Sequence, residues 1–169
     1  MEFKIFNKWI SFGGSSCVKD MDDNDYLKVK GKIFTFTKKK EIYDMEGSLI
    51  YTVRCKFFSL FDRSAFVFDK DGNQVALVKR KVISLHDRYF VECDLGELEI
   101  VGNIFQFDYH IKLNQLEIGH VSRKISLRDS FVLSIDEKMY DPKFFVALVI
   151  AIDNITDRKD ENRSSNNNY

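Results

Sequence analysis

The sequence has no excess of charge, no cysteine framework, no catalytic signature and no long apolar run. Its 169 residues hold 26 Lys and Arg against 26 Asp and Glu. That balance supplies no bulk field to draw the protein to nucleic acid or to an anionic membrane, and no nucleic-acid signature is present. The cysteines are Cys17, Cys55 and Cys93, an odd number with no Cys-x-x-Cys pair. This argues against a disulfide scaffold and for a reducing compartment. Residues 1–14 lack the apolar stretch of a signal peptide, so a cytoplasmic monomer is expected, at most peripheral to a membrane. The longest run without a polar side chain, 144–152, is nine residues, against the ~20 a helix needs to cross a bilayer. No P-loop, Gly-x-Gly-x-x-Gly or Gly-x-Ser-x-Gly occurs. The pair of glycines in 11–16 lacks the following Gly-Lys-Ser/Thr and reads as a flexible turn. No enzyme is expected, and no catalytic residue or cofactor is assigned.

What is abundant is aromatic: 16 Phe and 7 Tyr, a composition that favours strands. Beneath it lies a repeat. "KWISF" from Lys8, "KIFTF" from Lys32, "KFFSL" from Lys56, "KVISL" from Lys81 and "KISL" from Lys124 share one pattern, and "NIFQF" from Asn103 supplies a sixth copy. The residue three before each start is Ile5, Val29, Val53, Val78, Ile100 or Val121. An acidic or Asn residue follows 11 to 13 positions after each start: Asp20, Asp44, Asp69, Asp94, Asn114 and Asp136. Agreement of six registers at three positions marks a genuine internal repeat.

Each unit reads as about two antiparallel strands. Around Gly72, for instance, Val75, Leu77 and Lys79 alternate with Ala76, Val78 and Arg80, the period of a half-buried strand. Six units give about twelve strands joined by short connections. Closing such a sheet into a barrel removes its edges; a sandwich also fits, whereas propeller blades need roughly 40 residues each. A barrel this wide must be filled by something about 10–12 Å across, the width of a helix. The run "DPKFFVALVIAID" at 141–153 follows the last repeat. Asp141 can cap and Pro142 can open a helix, and an all-round apolar surface suits a helix buried on every side. A buried strand is the alternative, since periodicity alone does not separate the two.

These residues resemble a known family. The six repeat units (five led by Lys and one by Asn103), the Asp-x-x-Gly turns at 44–47 and 69–72, and "FFVALVIAIDNI" near the C-terminus are similar to the LURP-one-related proteins, members of the tubby C-terminal-like superfamily with phospholipid scramblases as distant relatives. The similarity spans about residues 3 to 157. It implies a mainly β fold, a closed antiparallel barrel of about twelve strands around a central hydrophobic C-terminal α-helix. For function it implies a binding module: tubby domains bind phosphoinositide head groups, and scramblases are associated with phospholipid movement and calcium. No lipid-binding motif of the tubby proteins matches this chain residue by residue, and none is carried over. The domain is expected to span 1–157, with the helix at about 142–156 and a disordered polar tail at 158–169.

Three basic clusters are candidates for holding an anion: Lys38, Lys39 and Lys40; Lys79, Arg80 and Lys81; Arg123 and Lys124. At one barrel end they would form a site for anionic phospholipid head groups; the plainer reading is solvated strand ends. A structural or regulatory domain that binds a protein partner is the competing function. "DMDDND" at 20–25 fails the EF-hand pattern, which needs Gly sixth and Glu twelfth where this chain has Asp25 and Gly31. An acidic hairpin turn is preferred. His86, His110 and His120 show no metal-ligand spacing, and no metal site is expected. Asp153, at the exit of the apolar helix, should be held by a strand Lys, Arg or backbone N–H.

Overall fold

Residues two apart in a strand share a face, and here one face of every strand is closed around a helix. The computed structural model describes residues 1–6, 15–31, 38–56, 64–83, 86–103, 108–123 and 130–166. Six strands come from the first half of the chain: β1 (Glu2–Phe6), β2 (Ser15–Asp20), β3 (Asp25–Gly31), β4 (Lys40–Tyr43), β5 (Leu49–Cys55) and β6 (Ser64–Asp69). Six more follow: β7 (Gln74–Ile83), β8 (His86–Glu92), β9 (Leu98–Asn103), β10 (Asp108–Leu113), β11 (Leu116–Arg123) and β12 (Ser130–Ile135). A single helix, α1, runs Pro142–Asn166. Each strand pairs antiparallel with its chain neighbours, and β1 pairs with β12 from Glu2↔Ser134 to Phe6↔Ser130, closing the barrel. The closed barrel, rather than the sandwich, is the fold.

The repeat maps directly onto this architecture. Ile5, Val29, Val53, Val78, Ile100 and Val121 come one from each odd-numbered strand, and all are at most 3% exposed. They join one hydrophobic cluster with Phe145, Leu148, Ile150 and Ile152 of α1. The repeated pentads begin at or just beyond the ends of the odd-numbered strands; Lys81 to Ile83 still belong to β7, while most of the other units lies outside the described residues. The barrel thus has a loop end, where odd strands finish, and a turn end, where even strands finish.

At the turn end the recurring Asp or Asn begins the reversal. Asp20 Oδ1 accepts the backbone N–H groups of Asp22 and Asn24, and Asp69 Oδ1 those of Asp71 and Asn73. Asp44 accepts from Ser48, Asp136 from Lys138, and Asn114 from Glu97. Short polar side chains of this kind close turns by mimicking a backbone acceptor. Gly47 and Gly72 then take φ of +90° and +86°, a region that costs an L-residue roughly 1–2 kcal/mol. In the first turn Asp23 holds the same place at φ 66°. "DMDDND" is therefore a hairpin turn, with the Asp20 carboxyl held below its usual range by hydrogen bonds from the Asn24 side chain and backbone.

The helix enters at the turn end. Asp141 Oδ1 accepts the Lys143 N–H at 3.0 Å, an N-cap followed by Pro142 in the first helical position. Residues 145–152 are all buried. The helix is longer than expected: it reaches Asn166 rather than about 156, and its last turns occupy the stretch read as a disordered tail. Residues 157–166 contain no Gly or Pro to stop it, and without an apolar stripe its helical period leaves no trace in the sequence. Arg158 and Lys159 consequently stand about two turns before the helix end instead of at its negative pole.

Candidate functional site

Polar chemistry inside the barrel is concentrated near the loop end, where the inward-facing positions change from Val and Ile to charged residues. In β4 the inward residues are Ile42 and Lys40; in β7 they are Ala76, Val78 and Arg80. At the same level α1 passes from Ile152 to Asp153 and Asn154. Lys40 Nζ donates to Asp153 Oδ2 at 3.0 Å, with the two side chains only 5% and 9% exposed. The sequence-based expectation of a strand cation for Asp153 is met by Lys40. Asn154 Nδ2 donates to the carbonyl of Lys38 at 3.0 Å, and Lys38 itself has φ +47°. The helix is thus tied to the start of β4 at two successive residues.

A second buried pair lies across β7 and β8. Arg80 Nη2 donates to both oxygens of Asp87 at 2.8 and 2.9 Å, and Nε adds a third bond at 3.0 Å. Bidentate geometry of this kind makes burial of both charges tolerable. Beside it, the Tyr109 hydroxyl reaches Tyr89, Tyr89 meets Thr156 Oγ1 at 3.2 Å, and Thr156 donates back to the Ile152 carbonyl at 2.9 Å. Burial pushes Tyr89 up to about 12 and raises Tyr109 further. A cavity of about 20 Å³ among Tyr109, Phe131, Val149, Asp153 and Thr156 is roughly the size of one water molecule. Arg80 Nη1 and Asn154 Oδ1 are buried without a hydrogen-bond partner.

The basic clusters divide. The start of β4 and the ends of β7 and β11 all belong to the loop end, so among the described residues Lys38 to Lys40, Lys79 to Lys81 and Arg123 lie toward one rim by topology. Within that rim, however, Lys40 and Arg80 turn inward and are neutralised by Asp153 and Asp87. Lys39 pairs with Glu41 at 2.7 Å, and Lys79 with Glu92 at 2.5 Å. Lys81 is exposed and Lys38 half-buried. Arg123 ends β11; Lys124 lies outside the described residues. The alternation of Val78 with Lys79 already carries the signal that Arg80 faces inward. The same parity, counted from Ile42, places Lys40.

Two further features lie outside the barrel interior. On the outer wall His110 of β10 and His120 of β11 are direct cross-strand partners, with ring centroids 5.0 Å apart. His120 Nε2 contacts Asp108 Oδ1, and His110 Nδ1 lies 3.0 Å from Glu117 Oε1. The hydrogen bond from His110 holds Glu117 below its ordinary range. Sequence spacing missed this pair because nine intervening residues say nothing until the hairpin register is known. At the turn end, a groove of about 260 Å³ runs along the start of α1, lined by Tyr51, Leu95, Met139, Tyr140 and Phe144 among others.

A closed twelve-stranded antiparallel barrel threaded by one C-terminal helix is a fold of the tubby-like class. The chain belongs to the LURP-one-related family, whose family model matches residues 1–153. A crystal structure of an Arabidopsis thaliana protein is similar, with a TM-score of 0.65 at 18% identity, covering 92% of this chain and 90% of that one. No curated protein matches. Family and fold support a non-catalytic barrel domain. No helix among the described residues is long and apolar enough to cross a membrane.

Proposed function

We propose that this barrel is a binding module that meets anionic phospholipid head groups with its loop end. The observation that carries the reading is the polarity of the barrel. The described turn end is rich in carboxylates, among them Asp22, Asp44, Glu46, Asp71, Asp94 and Glu137, whereas Lys38, Lys39, Lys56, Lys79, Lys81 and Arg123 gather toward the loop end. With zero net charge, attraction to a surface must come from such asymmetry. Lys40 and Arg80 stay outside the contact, because an incoming phosphate would have to displace a buried carboxylate from each. They shape the rim from within, Lys39 and Lys79 are paired with Glu41 and Glu92, and the exposed Lys56 and Lys81 carry charge on the outer surface.

Flotation with vesicles of anionic and of neutral phospholipid tests the reading. Binding should require the anionic vesicles and weaken as salt rises. Combined Lys38→Glu, Lys39→Glu and Lys81→Glu should abolish it, while Lys70→Glu at the opposite end should not. Absence of binding at low salt refutes the lipid reading and favours a protein-interaction domain. The turn-end groove, with Met139 72% exposed beside it, is the feature that would serve such a domain.

A further inference from the structure

The outer wall of the β10–β11 hairpin carries a cluster that the barrel has no need of. We propose that Asp108, His110 and His120 form a surface site for a divalent transition metal of the zinc class, with Glu117 as an additional carboxylate ligand. In the antiparallel register His110 stands opposite His120 and Asp108 stands opposite Ser122. Residues 108, 110 and 120 therefore project from the same face, while their neighbours Tyr109, Ile111 and Val121 are buried inside the barrel. One ligand atom from each of the three lies within 4.8 Å of the others. Metal–nitrogen and metal–oxygen bonds of about 2.0–2.2 Å in tetrahedral geometry need donors closer than that. The required movement belongs to side chains alone. Those of Asp108, His110 and His120 are 47%, 47% and 37% exposed, so they can rotate without disturbing the core.

The donor set selects the metal. Two imidazoles with one or two carboxylates suit zinc, nickel or copper, whereas calcium and magnesium prefer oxygen donors throughout. The present contacts are consistent with this use, because each histidine already has a carboxylate against it, and a cation between them would replace two His–carboxylate contacts by four ligand bonds. The strands beneath are held on both sides, β10 by β9 and β11 by β12, which presets the spacing of the two rings. Coordination would fasten β10 to β11 on the outer wall, six strands around the barrel from the β4 that carries Lys40.

Calorimetric titration of the full chain with zinc chloride tests the site. The expected result is one saturable equivalent, weakened at least about tenfold by His110→Ala and by His120→Ala and unchanged by His86→Ala. Cobalt titration followed by absorbance separates this site from the three cysteines, since a thiolate ligand would give an intense sulfur charge-transfer band and the proposed site would give none. Both variants alter exposed side chains, and unchanged melting of the metal-free proteins verifies their fold. No saturable zinc binding, binding indifferent to both histidine substitutions, or a thiolate band overturns the proposal.

Discussion

Asp153→Asn should be among the most damaging single changes in the protein. It leaves Lys40 charged, 5% exposed and facing an amide in place of a carboxylate. Breaking a buried pair by removing one partner costs about 3–5 kcal/mol, because the remaining charge loses its compensation. Total stability for a domain of this kind is typically about 5–15 kcal/mol, so the variant should melt roughly 10 °C or more below wild type. Lys40→Met should cost a similar amount by stranding the carboxylate. The double variant Lys40→Met/Asp153→Leu removes both charges and should recover most of the loss, since well-packed apolar replacements of buried pairs are often neutral. Urea unfolding of the four proteins completes a double-mutant cycle, read from midpoints at constant slope. The reasoning fails if Asp153→Asn costs less than about 1 kcal/mol, or if the two single effects simply add.

Three further outcomes are expected. Gly102→Ala should destabilise by about 1–3 kcal/mol, because an added Cβ would lie 2.0 Å from the Asp108 carbonyl and 2.6 Å from the Tyr109 ring; a thermal melt equal to wild type would contradict this. Burial raises the Tyr89 phenol to about 12 and Tyr109 higher. The folded state therefore holds these protons more tightly than the unfolded chain. Their contribution to stability is complete below an unfolded value of about 10 and is lost as pH rises through the folded values. Absorbance of phenolate should show these two tyrosines ionising only with unfolding, and independent ionisation in the native protein would count against their burial. We further propose that residues 1–157 form the barrel unit: among the described residues the last buried core side chain is Ile155, so a chain ended after Asp157 should keep its melting temperature within a few degrees, and collapse of the truncated protein would show that the last helical turns are structural.

Much of the architecture is written locally, which is why it can be read without coordinates. The Ile or Val three residues before each pentad lies on the inner face because strand period is two, and six recurrences count the odd strands. The Asp that follows is legible because in four units, at Asp20, Asp44, Asp69 and Asp136, its side chain closes its own turn. The helix of 142–156 is legible through Asp141, Pro142 and the lack of a polar face. Its extension to Asn166 is not, because a helix without an apolar stripe leaves no periodic mark. The candidate rim was half legible: sequence places three basic clusters at equivalent strand ends, but treats Lys79, Arg80 and Lys81 as one patch although the pleat sends Arg80 inward.

The sequence alone therefore determined the repeat, the strand count, the turn chemistry and the identity of the segment that fills the barrel, because each depends on spacings within a few residues. Tertiary structure decided which charges meet. Lys40 finds Asp153 across 113 positions, Arg80 finds Asp87 inside the wall, and His110 comes opposite His120 only once the β10–β11 register is set. Such pairings depend on barrel closure and strand register, and no local period encodes either.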